Sequence, residues 1–354
     1  MSVSVREAAP NYEYVTARVR SRRAALFDAD DYRKLLRMGP GEIARYLEET
    51  EYETEVNALG SRHAGVDLVE YALNRNLAKH FDDLLRWSEG SLYERVARYL
   101  RKFDVWNVKT VLRGRYSDAD QSAVEEDLIH AGEFEEEFLD RLVAATDVAE
   151  AVELLEPTIF GEALAAALGD YEDTGLLVPL ENAVDRAYYE GLLEGIDEMA
   201  DDRPTELYVE FLEAEIDFRN ARNAFRIARS GADLDPADYF IDGGTLFDAA
   251  DLRQLVGNTD ELVTRIRESR YGTQLSEALE RLDQADSLIG FEHALDAALL
   301  EYSGRLSNVY PLSVCPVLAY VLAKEREVEN VRAIARGREA GLSEDEIEAE
   351  LVML

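Results

Sequence analysis

The chain has 354 residues, of which 47% are hydrophobic, and its 74 acidic residues against 38 Lys and Arg give a formal charge of −36. This length and apolar content predict a packed globule and disfavour a disordered acidic chain. A surface of that charge repels phosphate backbones and anionic lipid headgroups, so nucleic acid and direct lipid binding are disfavoured.

The basic residues are mostly arginine, because only five of the 38 are lysine. Many acids with few lysines keep a protein hydrated in a salt-saturated cytoplasm. The Debye length falls to about 3 Å at molar salt, so the self-repulsion of such a surface is screened there. The composition therefore predicts a halophilic archaeal source.

Two features limit the kinds of site and location. Cys315 is the only cysteine, which excludes an internal disulfide and a zinc site built from several cysteines, and we expect it to be buried and inert. The longest apolar stretch, 312–323, contains Ser313 and Pro316. A bilayer span needs about 20 apolar residues. We therefore expect no membrane span.

Apolar residues recur at three- and four-residue steps along the chain, and no segment shows sustained alternation. Val96, Leu100 and Phe103 are one example of this spacing. Near the C-terminus, Ser343 and Glu346 have the capping-box spacing that starts a helix. The sequence predicts the all-α class.

Three short patterns each occur three times, in the same order along the chain. The first is an aromatic residue with an acid beside it and a leucine eight positions on; the second is an aromatic residue after a short acidic helix; the third is Glu-x-Ala-(Leu or Val)-(Asn or Asp). Their copies are Phe27, Phe134 and Phe247; Tyr52, Phe160 and Tyr271; and Glu70–Asn74, Glu181–Asp185 and Glu292–Asp296. Copies of the third pattern stand 111 residues apart.

A fourth pattern is the most specific: an acid, an Asn three residues later, a base two after that, and an Arg four after that. Its copies are Asp104, Asn107, Lys109 and Arg113; Asp217, Asn220, Arg222 and Arg226; and Glu327, Asn330, Arg332 and Arg336. Gly114, Gly231 and Gly337 follow these copies, where we expect each helix to end in a left-handed residue.

The four patterns in register predict three similar helical repeat domains, 24–115, 116–232 and 233–354, after an N-terminal segment 1–23. A period this long disfavours a thin solenoid. The alternative is that long acidic helices simply look alike.

In the fourth pattern, the acid and the Asn lie close together on one helix face, while the base and the Arg share another. The acid could therefore meet a basic residue elsewhere more easily than the Arg of its own helix. Our hypothesis is that these groups join neighbouring helices and neighbouring repeats. A solvated charged face is the alternative. Apolar flanking residues such as Phe103, Val105 and Val108 argue against it.

Motifs for chemistry are missing from the sequence. No two of the four histidines (His63, His80, His130 and His293) stand at metal-binding spacing, and the glycine-rich turns lack the Lys-Ser/Thr of a phosphate loop. The pairs Tyr12/Tyr14 and Tyr188/Tyr189 are interpreted as packing residues. We therefore expect no catalytic residue, cofactor, metal ion or small-molecule substrate.

The C-terminal run resembles the C subunit of archaeal A-type ATP synthases, which is the counterpart of the d subunit in vacuolar ATPases. The residues that carry the resemblance are Pro311–Ser313, Pro316–Tyr320, Lys324-Glu325, Glu327-Val328, Asn330–Arg332 and Arg336-Gly337. The N-terminal Tyr12-x-Tyr14-x-x-Ala17-Arg18-x-Arg20 and the segment Asn107-x-Lys109-x-x-Leu112-Arg113-Gly114 are similar to that family too.

The resemblance implies a pseudo-threefold funnel of three helical domains that performs no chemistry. It implies a peripheral place on the cytoplasmic face of the membrane proteolipid ring, with the foot of the central stalk in the funnel. Its partners are then central-stalk subunits and the proteolipid ring, and torque passes through it for ATP synthesis coupled to proton or sodium flow. The alternatives are a triplicated helical scaffold without a role in ion transport and an enzyme with a cryptic acidic site.

Overall fold

The computed structural model describes residues 8–196, 202–230, 235–273, 275–276, 279–280 and 288–352. Its α-helices are α1 (Tyr12–Arg23), α2 (Ala29–Leu35), α3 (Pro40–Leu47), α4 (Glu53–Leu59), α5 (Gly65–Trp87), α6 (Gly90–Leu100), α7 (Lys102–Tyr116), α8 (Gln121–Glu126), α9 (Glu136–Val143), α10 (Val148–Leu154), α11 (Gly161–Thr174), α12 (Val178–Leu193), α13 (Arg203–Ser230), α14 (Ala249–Leu255), α15 (Thr259–Glu268), α16 (Leu288–Val309), α17 (Cys315–Glu339) and α18 (Glu344–Glu348). A 3₁₀ turn covers Pro236–Tyr239. No strand occurs in the described ranges, which confirms the all-α class.

The chain forms two compact units. Unit 1 comprises Met1–Val96, Ala228–Ser230 and Leu255–Leu354, and unit 2 comprises Ala97–Ile227 and Gly231–Gln254. The division into 24–115, 116–232 and 233–354 stays a prediction.

Helix α17 lies at the centre of unit 1. It packs against α1, α2, α3 and α5 from the N-terminal part of the sequence and against α16 and α18 from the C-terminal part. Its inward side chains are buried at helical spacing; they include Val317, Leu318, Val321, Val328, Val331 and Ile334. Each contributes roughly 1.5–3 kcal/mol of transfer free energy. The two end regions of the sequence therefore share one core.

In unit 2, α12 packs against both α11 and α7, and α10 packs against the same two helices. Gly175, which has a left-handed backbone (φ 70°), ends α11 and lets the chain turn into α12. The core side chains of these helices are fully buried; they include Val108, Leu112, Leu164, Leu180, Val184 and Leu192.

After α7 and α17 the chain reverses direction and returns across the helix that it has just left. The N–H of Ala119 donates to the carbonyl of Gly114, and the N–H of Leu342 donates to the carbonyl of Gly337, both over 2.9 Å. The left-handed residue in each turn is Asp118 (φ 54°) or Gly341 (φ 76°). This is the helix ending in which two amides beyond the helix bind its last carbonyls.

The expectation that Gly114 and Gly337 themselves adopt the left-handed conformation is wrong, because both lie inside helices. A Cβ atom at Gly114 would collide with the side chain of Val124, and one at Gly337 would lie 2.6 Å from Cγ1 of Ile347. The glycines therefore allow the returning chain to touch the helix. Gly231 lies outside the described residues.

Two smaller predictions are confirmed. Ser343 Oγ accepts the N–H of Glu346 over 3.3 Å, and the Glu346 carboxylate accepts the N–H of Ser343 over 2.8 Å, which completes the capping box of α18. Cys315 is buried, with 2% of its surface exposed.

Among the helices that the structure describes, none combines the length and the apolar character needed to cross a bilayer.

We predict that Gly114→Ala destabilises unit 2, whereas Gly169→Ala stabilises it. Gly169 is helical and a Cβ there meets nothing within 4 Å, so alanine adds only helix propensity of about 1 kcal/mol. At Gly114 the new methyl group meets Val124, and overpacking costs about 1–3 kcal/mol. Denaturant unfolding measures both changes, and Val124→Ala should relieve the cost of Gly114→Ala in the double variant. Equal stabilisation by both glycine substitutions would contradict the close approach.

Candidate functional site

The candidate site consists of the polar side chains that the fourth pattern places on α7, α13 and α17. Its acids and asparagines are all buried, with exposed fractions between 0% and 3%. This burial differs from what a solvated charged face would show.

The acid of α7 binds the backbone of the chain that returns after the reversal. Asp104 accepts the N–H of Glu133 over 2.8 Å and that of Phe134 over 3.1 Å. A Cβ atom at Gly132 would collide with this carboxylate, so the glycine allows the backbone to approach it. Burial raises the pKa of Asp104 to about 7, although the two backbone hydrogen bonds favour the charged form.

The acid of α13 makes the same kind of contact. Asp217 accepts the N–H groups of Thr245 and Leu246, each over 2.8 Å, and its other oxygen accepts the hydroxyl of Thr245 over 3.0 Å. Gly244 lies against this carboxylate as Gly132 lies against Asp104. The residue pattern suggested that these acids could meet a basic residue elsewhere; the contacts described above show that backbone amides and, at Asp217, one hydroxyl also bind them.

The acid of α17 is a glutamate, and its carboxylate accepts hydrogen bonds from three kinds of donor group. Glu327 accepts the N–H of Phe27 over 2.6 Å, the hydroxyl of Tyr52 over 2.7 Å and the ammonium of Lys324 over 2.7 Å. Lys324 also donates to the Tyr52 hydroxyl over 2.9 Å and lies 4.2 Å from the centre of its ring.

The three side chains Glu327, Lys324 and Tyr52 are removed from water, since Lys324 and Tyr52 are each 1% exposed and Glu327 is 3% exposed. Burial lowers the pKa of Lys324, and burial together with the Glu327 charge raises the pKa of Tyr52. Removing one partner of a buried ion pair costs about 3–5 kcal/mol because a charge stays buried alone. The cluster therefore fixes α17 to the N-terminal segments that contain Phe27 and Tyr52.

Each asparagine of the pattern binds both the carbonyl and the N–H of one residue that lies 21 or 22 positions further along the chain. The amide of Asn107 donates to the carbonyl of Ile129 over 2.9 Å and accepts its N–H over 2.8 Å. Asn220 donates to the carbonyl of Ile241 over 2.8 Å and accepts its N–H over 2.9 Å. Asn330 binds Val352 with 2.9 and 3.1 Å.

The bases bind residues of the third pattern. On α7, Lys109 lies 2.6 Å from Asp185 and Arg113 lies 2.5 Å from Glu181. Burial alone would raise the pKa of Asp185, but Arg219 and Lys109 beside it hold that pKa below its ordinary value. Both patterns are visible in the sequence, but the contact between them was not anticipated.

The bases of α17 bind the first copy of the same pattern. Arg332 donates to Asn74 Oδ1 over 2.6 Å, and Arg336 forms a two-point contact with the carboxylate of Glu70. Arg336 is largely exposed, so its pair adds up to about 1 kcal/mol. On α13, Arg222 is half-buried and Arg226 is exposed.

A further repeated feature was missed at the sequence level. Two residues before each aromatic of the second pattern stands a hydroxyl residue: Thr50, Thr158 or Ser269. In each case the hydroxyl donates to a carbonyl three residues earlier and accepts the N–H of the aromatic residue. The signal was the sequence (Thr or Ser)-x-aromatic, which is short enough to be overlooked.

Of the histidines, His80 is the buried one, at 3% exposure. Arg22 donates to its Nε2 over 2.8 Å, which places the ring proton on Nδ1, against the hydroxyl of Tyr320. Burial lowers the pKa of His80 to about 2, so the ring is neutral. Its contacts tie α1, α5 and α17 together. In the described part of the chain, no three His, Cys, Asp or Glu side chains are arranged to hold a metal ion.

The tyrosine pairs differ from one another. Tyr188 and Tyr189 are buried with their rings edge to face, 4.9 Å apart, as packing residues are. Tyr14 is 48% exposed, and its ring lies 4.7 Å from the guanidinium of Arg18.

We predict that Asn330→Ala destabilises unit 1 by about 2 kcal/mol or more, because the buried N–H and carbonyl of Val352 lose their partner. Asn57→Ala is the matched control, since Asn57 is an exposed residue within α4 of the same unit. Urea unfolding of the full chain measures both. A difference between the two variants below about 0.5 kcal/mol would mean that the contact is unimportant.

The comparisons with known proteins agree across almost the full length. The family described as ATP synthase (C/AC39) subunit matches residues 15–350. A protein of Haloferax volcanii, named as the C subunit of A-type ATP synthase, is 65% identical over 344 residues, which are 97% of this chain and 98% of the relative. Its namesake from Halobacterium salinarum is 64% identical over 345 residues, with the same coverage.

A more distant namesake, from Methanosarcina mazei, is 35% identical over 352 residues, which are 99% of this chain and 95% of the relative. Haloferax and Halobacterium are halophilic archaea, the kind of source that the composition predicts. The resemblance found in the sequence is thereby confirmed, and the chain belongs to the ATP synthase (C/AC39) subunit family.

Proposed function

We propose that the chain is a non-catalytic subunit of an A-type ATP synthase that links the rotor stalk to the membrane proteolipid ring and transmits torque between them. In this role it is a peripheral protein on the cytoplasmic face of the membrane. Its partners are central-stalk subunits and the ring, and the coupled ion is a proton or sodium. Family membership and the names of the relatives support this assignment.

The observation that carries the proposal is the way in which α17 holds distant parts of unit 1. A body that bears a twisting load must resist opening at its chain ends. Glu327 binds the backbone at Phe27 and the side chain of Tyr52, while Asn330 binds Val352 near the C-terminus. The contacts of Glu327 with Tyr52 and of Asn330 with Val352 are buried, so water does not compete for them.

We also propose that three similar helical domains form a pseudo-threefold funnel, and that the twelve residues of the fourth pattern hold each domain together. In support, Asn107, Asn220 and Asn330 make the same two hydrogen bonds to backbone 21 or 22 residues later. The Thr or Ser before each aromatic of the second pattern also makes the same local contacts in all three copies.

The test is co-purification of the tagged full chain with its partners from detergent-solubilised membranes kept at molar salt. We expect both central-stalk subunits and proteolipid to be retained, because an adaptor must contact each. Asn57→Ala, an exposed change, should retain both as well. The purified chain alone should show no ATP hydrolysis.

Retention of neither class of subunit would refute the adaptor role and favour an unrelated helical scaffold. Retention of the stalk without the ring would contradict the proposed link between the two.

A further inference from the structure

A groove of about 760 Å³ lies in unit 2, along the start of α11 and the second half of α12. Small residues line part of it, among them Ala163, Ala187 and Gly191, and the acids Glu190 and Glu194 stand beside them. Glu190 lies 3.9 Å from Arg186, which is the basic residue of the lining. Ile159 adds an apolar side chain that is 41% exposed.

Unit 1 contains a corresponding pair of helices, α4 and α5. The bases of α17 bind Glu70 and Asn74 of α5, as those of α7 bind Glu181 and Asp185 of α12. Positions of α5 and α12 therefore correspond with an offset of 111 residues. Tyr52 and Phe160 follow the same hydroxyl turn, so the start of α4 corresponds to the start of α11 with an offset of 108 residues.

In unit 1 the space between α4 and α5 that corresponds to the groove contains larger polar side chains in contact with one another. Asn76 and Lys79 both bind the carboxylate of Glu55, over 3.0 and 2.9 Å. Arg22 of the N-terminal helix α1 donates to His80 over 2.8 Å and to Asp83 over 2.6 Å. An arginine on a neighbouring helix thus completes the polar contacts of this face of α5.

In unit 2 the corresponding residues are smaller and more acidic. Asn76, Lys79, His80, Asp83 and Glu55 correspond to Ala187, Glu190, Gly191, Glu194 and Ala163. Three replacements by alanine or glycine remove side-chain volume, and the replacement of lysine by glutamate reverses a charge. The position of Asp83 still carries a carboxylate in unit 2, that of Glu194. The part of the groove at Gly191 and Glu194 therefore corresponds to the face of α5 that Arg22 contacts, with more room and more negative charge than in unit 1. The chain's own Arg98, on α6, donates to the backbone carbonyl of Glu194.

We propose that this groove is the docking site for a helix that presents arginine, supplied by another subunit of the ATP synthase. The inference rests on the proposed function, because it takes the partner from the same complex. Glu190 and Glu194 face the arginine as Asp83 faces Arg22, and Ala163, Ala187 and Gly191 admit the helix backbone. At molar salt only direct ion pairs act, so apolar contact with Ile159 and the alanines supplies much of the affinity.

Site-specific labelling tests the inference in the assembled complex. Cys315 is buried, so Glu190→Cys introduces the reactive thiol of the chain, and Glu172→Cys is the matched control at an exposed position of α11 outside the groove. We expect maleimide to label Glu190→Cys about tenfold more slowly in the complex than in the isolated chain, as for a residue removed from water at an interface core. The control should react at similar rates in both.

A benzophenone attached at Glu190→Cys identifies the occupant. The expected cross-link is to a helical, arginine-containing segment of one ATP synthase subunit. Glu194→Arg should weaken retention of that subunit about tenfold, because a like charge then faces the arginine, whereas Glu172→Arg should leave it unchanged.

Unchanged labelling of Glu190→Cys in a complex that still contains the other subunits would overturn the inference and leave the proposed function standing. A cross-link to a segment without arginine would overturn it too. If the unmodified chain retains no other subunit, the proposed function fails, and the inference fails with it.

Discussion

The structure depends on the pairing of backbone groups where the chain returns across its own long helices. Such a segment packs against a helix instead of pairing with a strand in the ranges described, yet each of its buried N–H and carbonyl groups needs a partner. A primary amide holds one of its two N–H donors beside its carbonyl oxygen, so it can bind the N–H and the carbonyl of a single residue together. Asn107, Asn220 and Asn330 each use both for one buried residue. The carboxylate three residues before each asparagine accepts one or two more backbone N–H groups.

In unit 1 this arrangement joins the beginning of the sequence to its end. Phe27 and Glu327 are 300 residues apart, and closing so long a loop costs conformational entropy that grows only with the logarithm of its length. Apolar burial along α17 offsets most of this entropy cost. The hydrogen bonds that Glu327 accepts from Phe27 and Tyr52 fix the position of the helix against the N-terminal segments. The Glu327 side chain also accepts the hydroxyl of Tyr52. In unit 2 the corresponding aromatic, Phe160, has no hydroxyl, and the acid is the shorter Asp104.

The sequence predicted the features that leave a periodic signal. Helical class, the capping box at Ser343 and the three copies of each pattern follow from residue spacing. The backbone partners of Asp104 and Asp217 could not be predicted from residue spacing, because a backbone N–H group is not specific to any residue type. Gly114 and Gly337 were misread since a glycine near a helix end is usually a stop, and the approach of Val124 or Ile347 depends on tertiary structure. The link from the fourth pattern to the third likewise needed coordinates, as the two lie on different helices.

We infer that buried side-chain amides hold the returning chain as firmly as secondary structure would. Amide hydrogen exchange of the native full chain tests it at the N–H groups of Ile129, Ile241 and Val352, which are bound by Asn107, Asn220 and Asn330. Amides that open only with the whole core exchange with the free energy of global unfolding. We predict protection at all three that approaches that of the buried turns of α7, α13 and α17. Rapid exchange at these amides, at the rate of frayed chain ends, would contradict the claim.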